Sequence, residues 1–269
     1  MSSKESTQQE HAETHVTISG ELAGKGIVIS GAARGLGREY AFAVAKEGAK
    51  VALIDVDDNV KETAESIRSM GGSAIYFQGD ISKNEQVKKF SEIAVDALGR
   101  IDVLINNAAI YYGLVNKPFT DIPEEEWDRV MEVNVKGTWL MSKYFAQYMI
   151  KQGKGKIINV ASALVFSGFP GLMHYTASKA AVVGMTRVMA RELGPYGIRV
   201  NCIAPGLVTT EATLRRVSRD YIKQVGEATA LKRVAEPKDI VGVVIFLASD
   251  KSDGMTGQTL IVDEGSVFV

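Results

Sequence analysis

The chain alternates between short, β-branched apolar runs and longer segments whose apolar residues recur at helical spacing. The runs fall at Ile27–Ser30, Val51–Asp55, Ala74–Phe77, Val103–Asn106, Lys156–Val160, Arg199–Ile203 and Thr259–Val262. Their near-continuous hydrophobicity is what strands covered on both faces require. Helical stretches separate them, near Leu36–Glu47, Asn59–Met70, Glu85–Ala97, Glu124–Ile150, Tyr175–Leu193, Thr210–Val225 and Pro237–Ala248. No Pro- or Ser-rich linker interrupts the alternation. The pattern predicts one α/β domain over residues 21–269, a Rossmann-like doubly wound parallel sheet flanked by helices. A small substrate lid is expected near residues 208–228. Residues 1–20 read as a flexible arm, because Met1–Thr17 is polar and lacks the apolar centre of a signal peptide. His11 and His15 stand four apart there, with nothing beside them to complete a metal site.

Composition narrows the function classes. Against 31 Lys and Arg stand 32 Asp and Glu, so no charge excess points to nucleic acid or a membrane surface. No stretch has the length and apolarity of a membrane span, and a cytoplasmic location is expected. The single cysteine, Cys202, rules out an intramolecular disulfide and reads as an inert buried thiol.

The candidate chemistry gathers where strands end. Ser30-Gly31-Ala32-Ala33-Arg34-Gly35-Leu36-Gly37 follows the first strand directly. Gly31 would permit a tight turn, Gly35 would let the backbone approach a pyrophosphate, and Gly37 would allow close packing at the helix start. The free amides of that helix start then face the phosphate charge. Asp55 ends the second strand, where a carboxylate can accept both adenosine ribose hydroxyls and repel a 2′-phosphate. That favours NAD over NADP, although the Arg34 guanidinium is placed to reach a 2′-phosphate. Asp80 and Ile81 follow the third strand, where Asp80 can accept the adenine amino group. Asn107, Ala108 and Ala109 follow the fourth, small enough to pass under a flat ligand.

Ser162 ends the fifth strand, and Tyr175 follows it by thirteen positions. Lys179 lies one helical turn beyond Tyr175, which places a phenol and an ammonium on one face. Ser162 would orient an alcohol oxygen while Tyr175 exchanges its proton. An unperturbed tyrosine has a pKa of about 10. Lys179 and an oxidised nicotinamide ring are both expected to lower it, and Lys179 can also bond the nicotinamide ribose. Asn134, in Val133-Asn134-Val135, interrupts a helical pattern with a side chain that competes for backbone bonds. It reads either as a local bend or as the anchor of a water linking Lys179 to solvent. His174 beside the tyrosine invites a Ser–His hydrolase reading, but no G-x-S-x-G elbow surrounds Ser162.

With these residues in place, the chain resembles the short-chain dehydrogenase/reductase family from about Leu22 to Val269. The family's T-G-x-x-x-G-x-G pattern is met with Ser30 in the first position, and its N-N-A-G with Ala109 in the last. The resemblance implies a catalytic tetrad at Asn134, Ser162, Tyr175 and Lys179. It also matches Pro205-Gly206, and implies a carboxamide contact from the Val208 backbone and a pyrophosphate or carboxamide contact from Thr210. Members are usually homotetramers or homodimers, and a homotetramer is expected here. Leu164, Phe169, His174, Tyr112 and Leu214 make up an expected apolar substrate wall, with no Arg or Lys cluster to clamp a phosphate. The expected substrate is therefore a neutral secondary alcohol or ketone, with an NADPH-dependent 3-oxoacyl-thioester reductase as the alternative.

Overall fold

A computed structural model describes residues 20–215 and 217–269, without the side chain of Ala212. The arm expected at residues 1–20 lies outside them, Gly20 apart. Seven parallel strands form one sheet: β1 (Gly26–Ser30), β2 (Lys50–Asp55), β3 (Ser73–Gln78), β4 (Val103–Asn106), β5 (Gly155–Val160), β6 (Ile198–Pro205) and β7 (Thr259–Val262). Their spatial order is β3-β2-β1-β4-β5-β6-β7. The order reverses between β1 and β4, so the loops after these two strands diverge and leave a crevice at their carboxyl ends.

Alternation along each strand divides the core. Ile27, Ile29, Val51, Leu53, Val103 and Ile105 face one layer, which includes Tyr40 and Val44 of α1 (Gly35–Lys46) and Ile67 of α2 (Val60–Ser69). Val28, Ala52, Ile54 and Leu104 face the other, with Phe90 of α3 (Asn84–Leu98) among their partners. Phe90 meets the rings of Phe77 and Phe145 at 5.8 Å each. A strand whose two faces are both buried carries few polar positions, which is why the strands were readable as mostly apolar runs.

Two expected helices are subdivided. The stretch expected as one helix over Glu124–Ile150 runs as α4 (Glu124–Met131), a π-helical turn at Glu132–Gly137, and α5 (Thr138–Gln152). Gly137 packs so closely on Ile81 that a Cβ there would lie 2.6 Å from the Ile81 Cδ1. After the short α6 (Leu164–Ser167) comes α7 (Met173–Leu193), two residues longer at its start than expected. The expected Thr210–Val225 helix is two pieces, α8 (Glu211–Leu214) and α9 (Arg219–Ala228). Thr210 and Ser218 each accept an amide hydrogen bond as N-caps, and a cap residue in extended conformation ends helical continuity. The last helix, α10 (Pro237–Ala248), begins with a capping box between Glu236 and Asp239.

Candidate active site

The carboxyl ends of the strands open into a cavity of about 860 Å³. Gly31, Arg34, Gly35 and Leu36 border it, as do Asp55, Asp80, Ile81 and Asn107–Ala109. Pro205, Gly206, Val208 and Thr210 close the far side, and Ser162, Tyr175 and Lys179 border the same space. Residues far apart in sequence thus share one cavity because parallel strands all end at the same edge.

The glycine turn is built by close approach. A Cβ on Gly31, whose φ is 71°, would stand 2.6 Å from the Ala108 Cα, and one on Gly37 would stand 2.0 Å from the Gly31 carbonyl oxygen. Gly37 does not border the cavity; it lets α1 start directly beneath the turn. The Asn107 amide donates to the carbonyl oxygens of Ser30 and Gly31 at 3.1 and 3.0 Å, tying the turn to the end of β4. No side chain caps α1, so its first amides remain available to an anion.

Asp55 reaches across to that turn. Its Oδ2 accepts the Ala33 amide and its Oδ1 the Asp57 amide, both at 3.0 Å. Burial holds its carboxyl above the usual range, against the lowering effect of these two amides. Asp80 is differently placed: burial would raise its pKa, but Ser82 and the Arg129 guanidinium together bring it below the usual value. Arg129 Nη2 lies 2.9 Å from its Oδ2, so the carboxylate expected for adenine is already ion-paired.

Ser162 follows β5 and accepts the Leu164 amide at 3.3 Å. Tyr175 sits in the first turn of α7 inside a small apolar cluster with Leu114, Val130 and Leu172. Burial pushes its phenol well above the usual tyrosine value, the Tyr111 ring neighbour adds to this, and a hydrogen bond with Ser162 opposes it. The protein alone therefore favours the neutral phenol, while the expected lowering belongs to the protein with an oxidised nicotinamide bound. Lys179 is buried too, and burial lowers its ammonium to about 8. Its Nζ donates to the Val160 carbonyl at 2.7 Å and lies 5.8 Å from the centroid of the Tyr175 ring.

Asn134 lies in the π-helical turn and is wholly buried. Its Oδ1 accepts the Ile110 amide at 2.7 Å. Its Nδ2 donates to the Ile110 carbonyl at 3.2 Å and to Ser178 Oγ at 3.0 Å. Both amide donors are thus used within the protein, and the side chain clamps the segment after β4 to α7. It touches the site through Ser178, three residues after Tyr175, and does not border the cavity.

Other expectations for the substrate wall need correction. His174 is fully buried and turned toward Glu126, with Nε2 3.0 Å from Oε1. Adjacent helical residues point about 100° apart, so a neighbour of Tyr175 cannot share its outlook. Leu214 is exposed and outside the cavity, while Thr210 and Thr213 at the start of α8 border it. Tyr112 does border it, but on the cofactor side: its hydroxyl is 3.5 Å from Thr210 Oγ1 and its ring 5.8 Å from the Arg34 Cζ. The neighbour that packs on Tyr175 is Tyr111, with ring centroids 5.0 Å apart. Leu164 and Phe169 stand where expected. Sequence reasoning missed Val217, Tyr221, Val225 and Val267, which complete the apolar end. The i, i+4 spacing of Tyr221 and Val225 on α9 was the available signal.

Comparisons with known proteins place this site in context. Residues 31–266 match the family described as enoyl-(acyl carrier protein) reductase. An uncharacterized oxidoreductase of Thermotoga maritima is 39% identical over 91% of this chain and 98% of its own. A 3-oxoacyl-[acyl-carrier-protein] reductase of the same organism is 36% identical over 92% of this chain and 99% of its own. Carveol dehydrogenase of Mycobacterium avium, solved in complex with NAD, is 30% identical with a TM-score of 0.86, covering 92% of this chain and 99% of that one. A 7α-hydroxysteroid dehydrogenase complexed with NADH and 7-oxo glycochenodeoxycholic acid is 32% identical with a TM-score of 0.86, covering 93% and 96%. Agreement of sequence along almost the full length, and of fold to the same extent, admits one conclusion: the chain belongs to the short-chain dehydrogenase/reductase family.

Proposed function

We propose that this chain is an NAD(H)-dependent oxidoreductase interconverting a neutral secondary alcohol, cyclic or aromatic in skeleton, and its ketone. The observation that carries this reading is that Ser162 and Tyr175 border the same cavity as the glycine turn and Asp55. When bound, the nicotinamide supplies the hydride acceptor or donor. The residues present fit such a ligand: uncapped amides at the start of α1 for the pyrophosphate, and a partly desolvated Asp55 carboxylate whose ionised form gains from hydroxyl donors. Asn107–Ala109 would underlie the ligand, and Val208 and Thr210 would hold its nicotinamide end.

Ser162 Oγ would orient the substrate oxygen. Tyr175 would donate its phenolic proton to that oxygen in ketone reduction and accept it in alcohol oxidation. The phenol that burial keeps neutral is the donor form, ready for reduction. In oxidation the tyrosinate must be favoured by positive charge, and the Lys179 ammonium supplies part of it. Asn134 would act as a positioning residue, holding the start of α7 against the segment after β4.

Substrate class follows from the cavity wall. The cations bordering it among the described residues are Arg34, Arg129 and Lys179. Arg34 faces Asp57, Arg129 is paired with Asp80, and Lys179 lies at the floor. The remaining end is apolar, through Tyr111, Leu164, Phe169, Tyr221 and Val225. Two similar structures carry a name or a ligand with an alicyclic skeleton, carveol and a bile acid, which supports a ring substrate. The similarity to a 3-oxoacyl-[acyl-carrier-protein] reductase supports NADPH-dependent thioester reduction as the second reading. A homotetramer is proposed as well, supported by Trp139 on α5 and Val188 on α7, both large, apolar and exposed. The test is a panel of cyclic and aromatic alcohols and ketones, with a 3-oxoacyl thioester, each run with NAD(H) and NADP(H). Turnover of the ring substrates with NAD(H) is expected. Efficient turnover of the thioester alone, with NADPH, would replace this reading with the second.

A further inference from the structure

Arg34 borders the cavity beside Asp55 and carries the charge that a 2′-phosphate would seek. It is already engaged: its Nη1 lies 3.6 Å from Asp57 Oδ2. Asp57 is itself fixed by the backbone. Its amide donates to Asp55 Oδ1, and its own Oδ1 accepts the Asn59 amide, each at 3.0 Å. Its carbonyl oxygen accepts the Val60 amide at 3.1 Å, where α2 begins. On the other side the Ala33 amide donates to Asp55 Oδ2, so the turn carrying Arg34 and the loop carrying Asp57 are held in register by one carboxylate. Two carboxylates and one guanidinium thus share the end of β2, with a net charge of one negative. An ion pair this exposed adds little to folding stability. Its consequence lies in where it holds the guanidinium.

We propose that Asp57 sets the choice between the two nicotinamide dinucleotides, by withholding Arg34 from a 2′-phosphate and placing a second negative charge beside Asp55. This rests on the reading of the cavity as an NAD(H) site. Selection then works by repulsion as much as by contact: a phosphate dianion beside Asp55 meets two carboxylates and a cation already engaged. Neutralising Asp57 removes one of those charges. It also releases a planar guanidinium able to bond phosphate through two donors.

The test measures binding of 5′-ADP and 2′,5′-ADP by calorimetry, using probes that carry the adenosine end and lack the nicotinamide. Wild type, Asp57→Asn, Asp57→Ser, and each of these with Arg34→Gln are compared. Asn and Ser both retain an acceptor for the Asn59 amide, which preserves the turn into α2. Each single Asp57 variant is expected to raise the affinity for 2′,5′-ADP relative to 5′-ADP about tenfold at low salt, and less at high salt. Arg34→Gln should remove the larger part of that gain and leave the part due to the charge lost at Asp57. A ratio unchanged in both Asp57 variants, or a gain as large without Arg34 as with it, overturns the proposal; if wild type prefers 5′-ADP, the NAD(H) reading survives that result. A wild type that binds 2′,5′-ADP more tightly than 5′-ADP overturns the NAD(H) reading, and this proposal with it.

Discussion

Burial and the neighbouring tyrosines keep the proton on Tyr175 against a hydrogen bond with Ser162, and the nearby Lys179 ammonium is itself poorly solvated. Burial raises the phenol and lowers Lys179 to about 8, so the two neutral forms are both favoured by the same desolvation. The Lys179 ammonium is present below about pH 8 and lost above it. Its help to the tyrosinate therefore belongs to the lower range. Alcohol oxidation should rise with pH, because it needs the ionised phenol, and ketone reduction should fall over the same range. In Lys179→Met the rising limb should move to higher pH, with the largest difference from wild type below pH 8. Steady-state kcat/KM profiles for both variants check this; superimposable profiles would remove Lys179 from the proton chemistry. The Tyr175 and Lys179 pair was legible because its spacing is local and helical, and Ser162 because it follows an apolar strand run. The burial that raises Tyr175 in the protein alone was not, because it depends on Tyr111 and Leu172 closing over the ring. That closure is a tertiary event with no sequence periodicity.

Helix continuity was the weakest part of the sequence reading. The pattern over Glu124–Ile150 is helical throughout, yet a π turn carries Asn134, and such turns mark functional positions more often than chance. The turn inserts one extra residue, which redirects the Asn134 side chain toward Ile110 and Ser178. Asn134→Ala leaves the Ile110 amide and carbonyl without their side-chain partner in a buried place. We expect a loss of about 3 kcal/mol of stability, seen as a lower thermal midpoint, together with reduced kcat. Retention of the wild-type midpoint would show that the clamp is not structural. The break between α8 and α9 was signalled by Ser218, whose hydroxyl accepts the Tyr221 amide at 3.2 Å. Ser218 also borders the cavity. Ser218→Ala should cost about 1 kcal/mol and raise KM for bulky substrates, as α9 loses its fixed start. An unchanged KM across the substrate panel would separate α9 from substrate binding.

The architecture of the whole molecule was the most legible level. Buried parallel strands carry β-branched residues on both faces, so each left a short apolar run, and β4 and β7 fall on the predicted residues. Strand order is different: the reversal between β1 and β4 is a property of packing that no local pattern carries. The contribution of Val267 to the cavity was hidden for the same reason, since nothing local brings a chain terminus over α9. Assembly belongs to this scale too. Trp139 on α5 and Val188 on α7, the helix that carries Tyr175 and Lys179, are each about half exposed, at 49% and 56%. Val188→Glu should shift the proposed homotetramer to smaller species with the fold retained, as read by sedimentation and circular dichroism. An unchanged assembly would place the contact on another face.

The central claim is that Tyr175 moves the proton while the dinucleotide takes or gives the hydride. Single-turnover absorbance of reduced nicotinamide, recorded for wild type and Tyr175→Phe with a secondary alcohol and saturating NAD, tests it most directly. Phe keeps the ring packing on Tyr111 and removes only the hydroxyl. The account predicts a fall of at least about a thousandfold in the rate of absorbance change, with 5′-ADP binding unchanged. A Tyr175→Phe enzyme that forms reduced nicotinamide at close to the wild-type rate would contradict it.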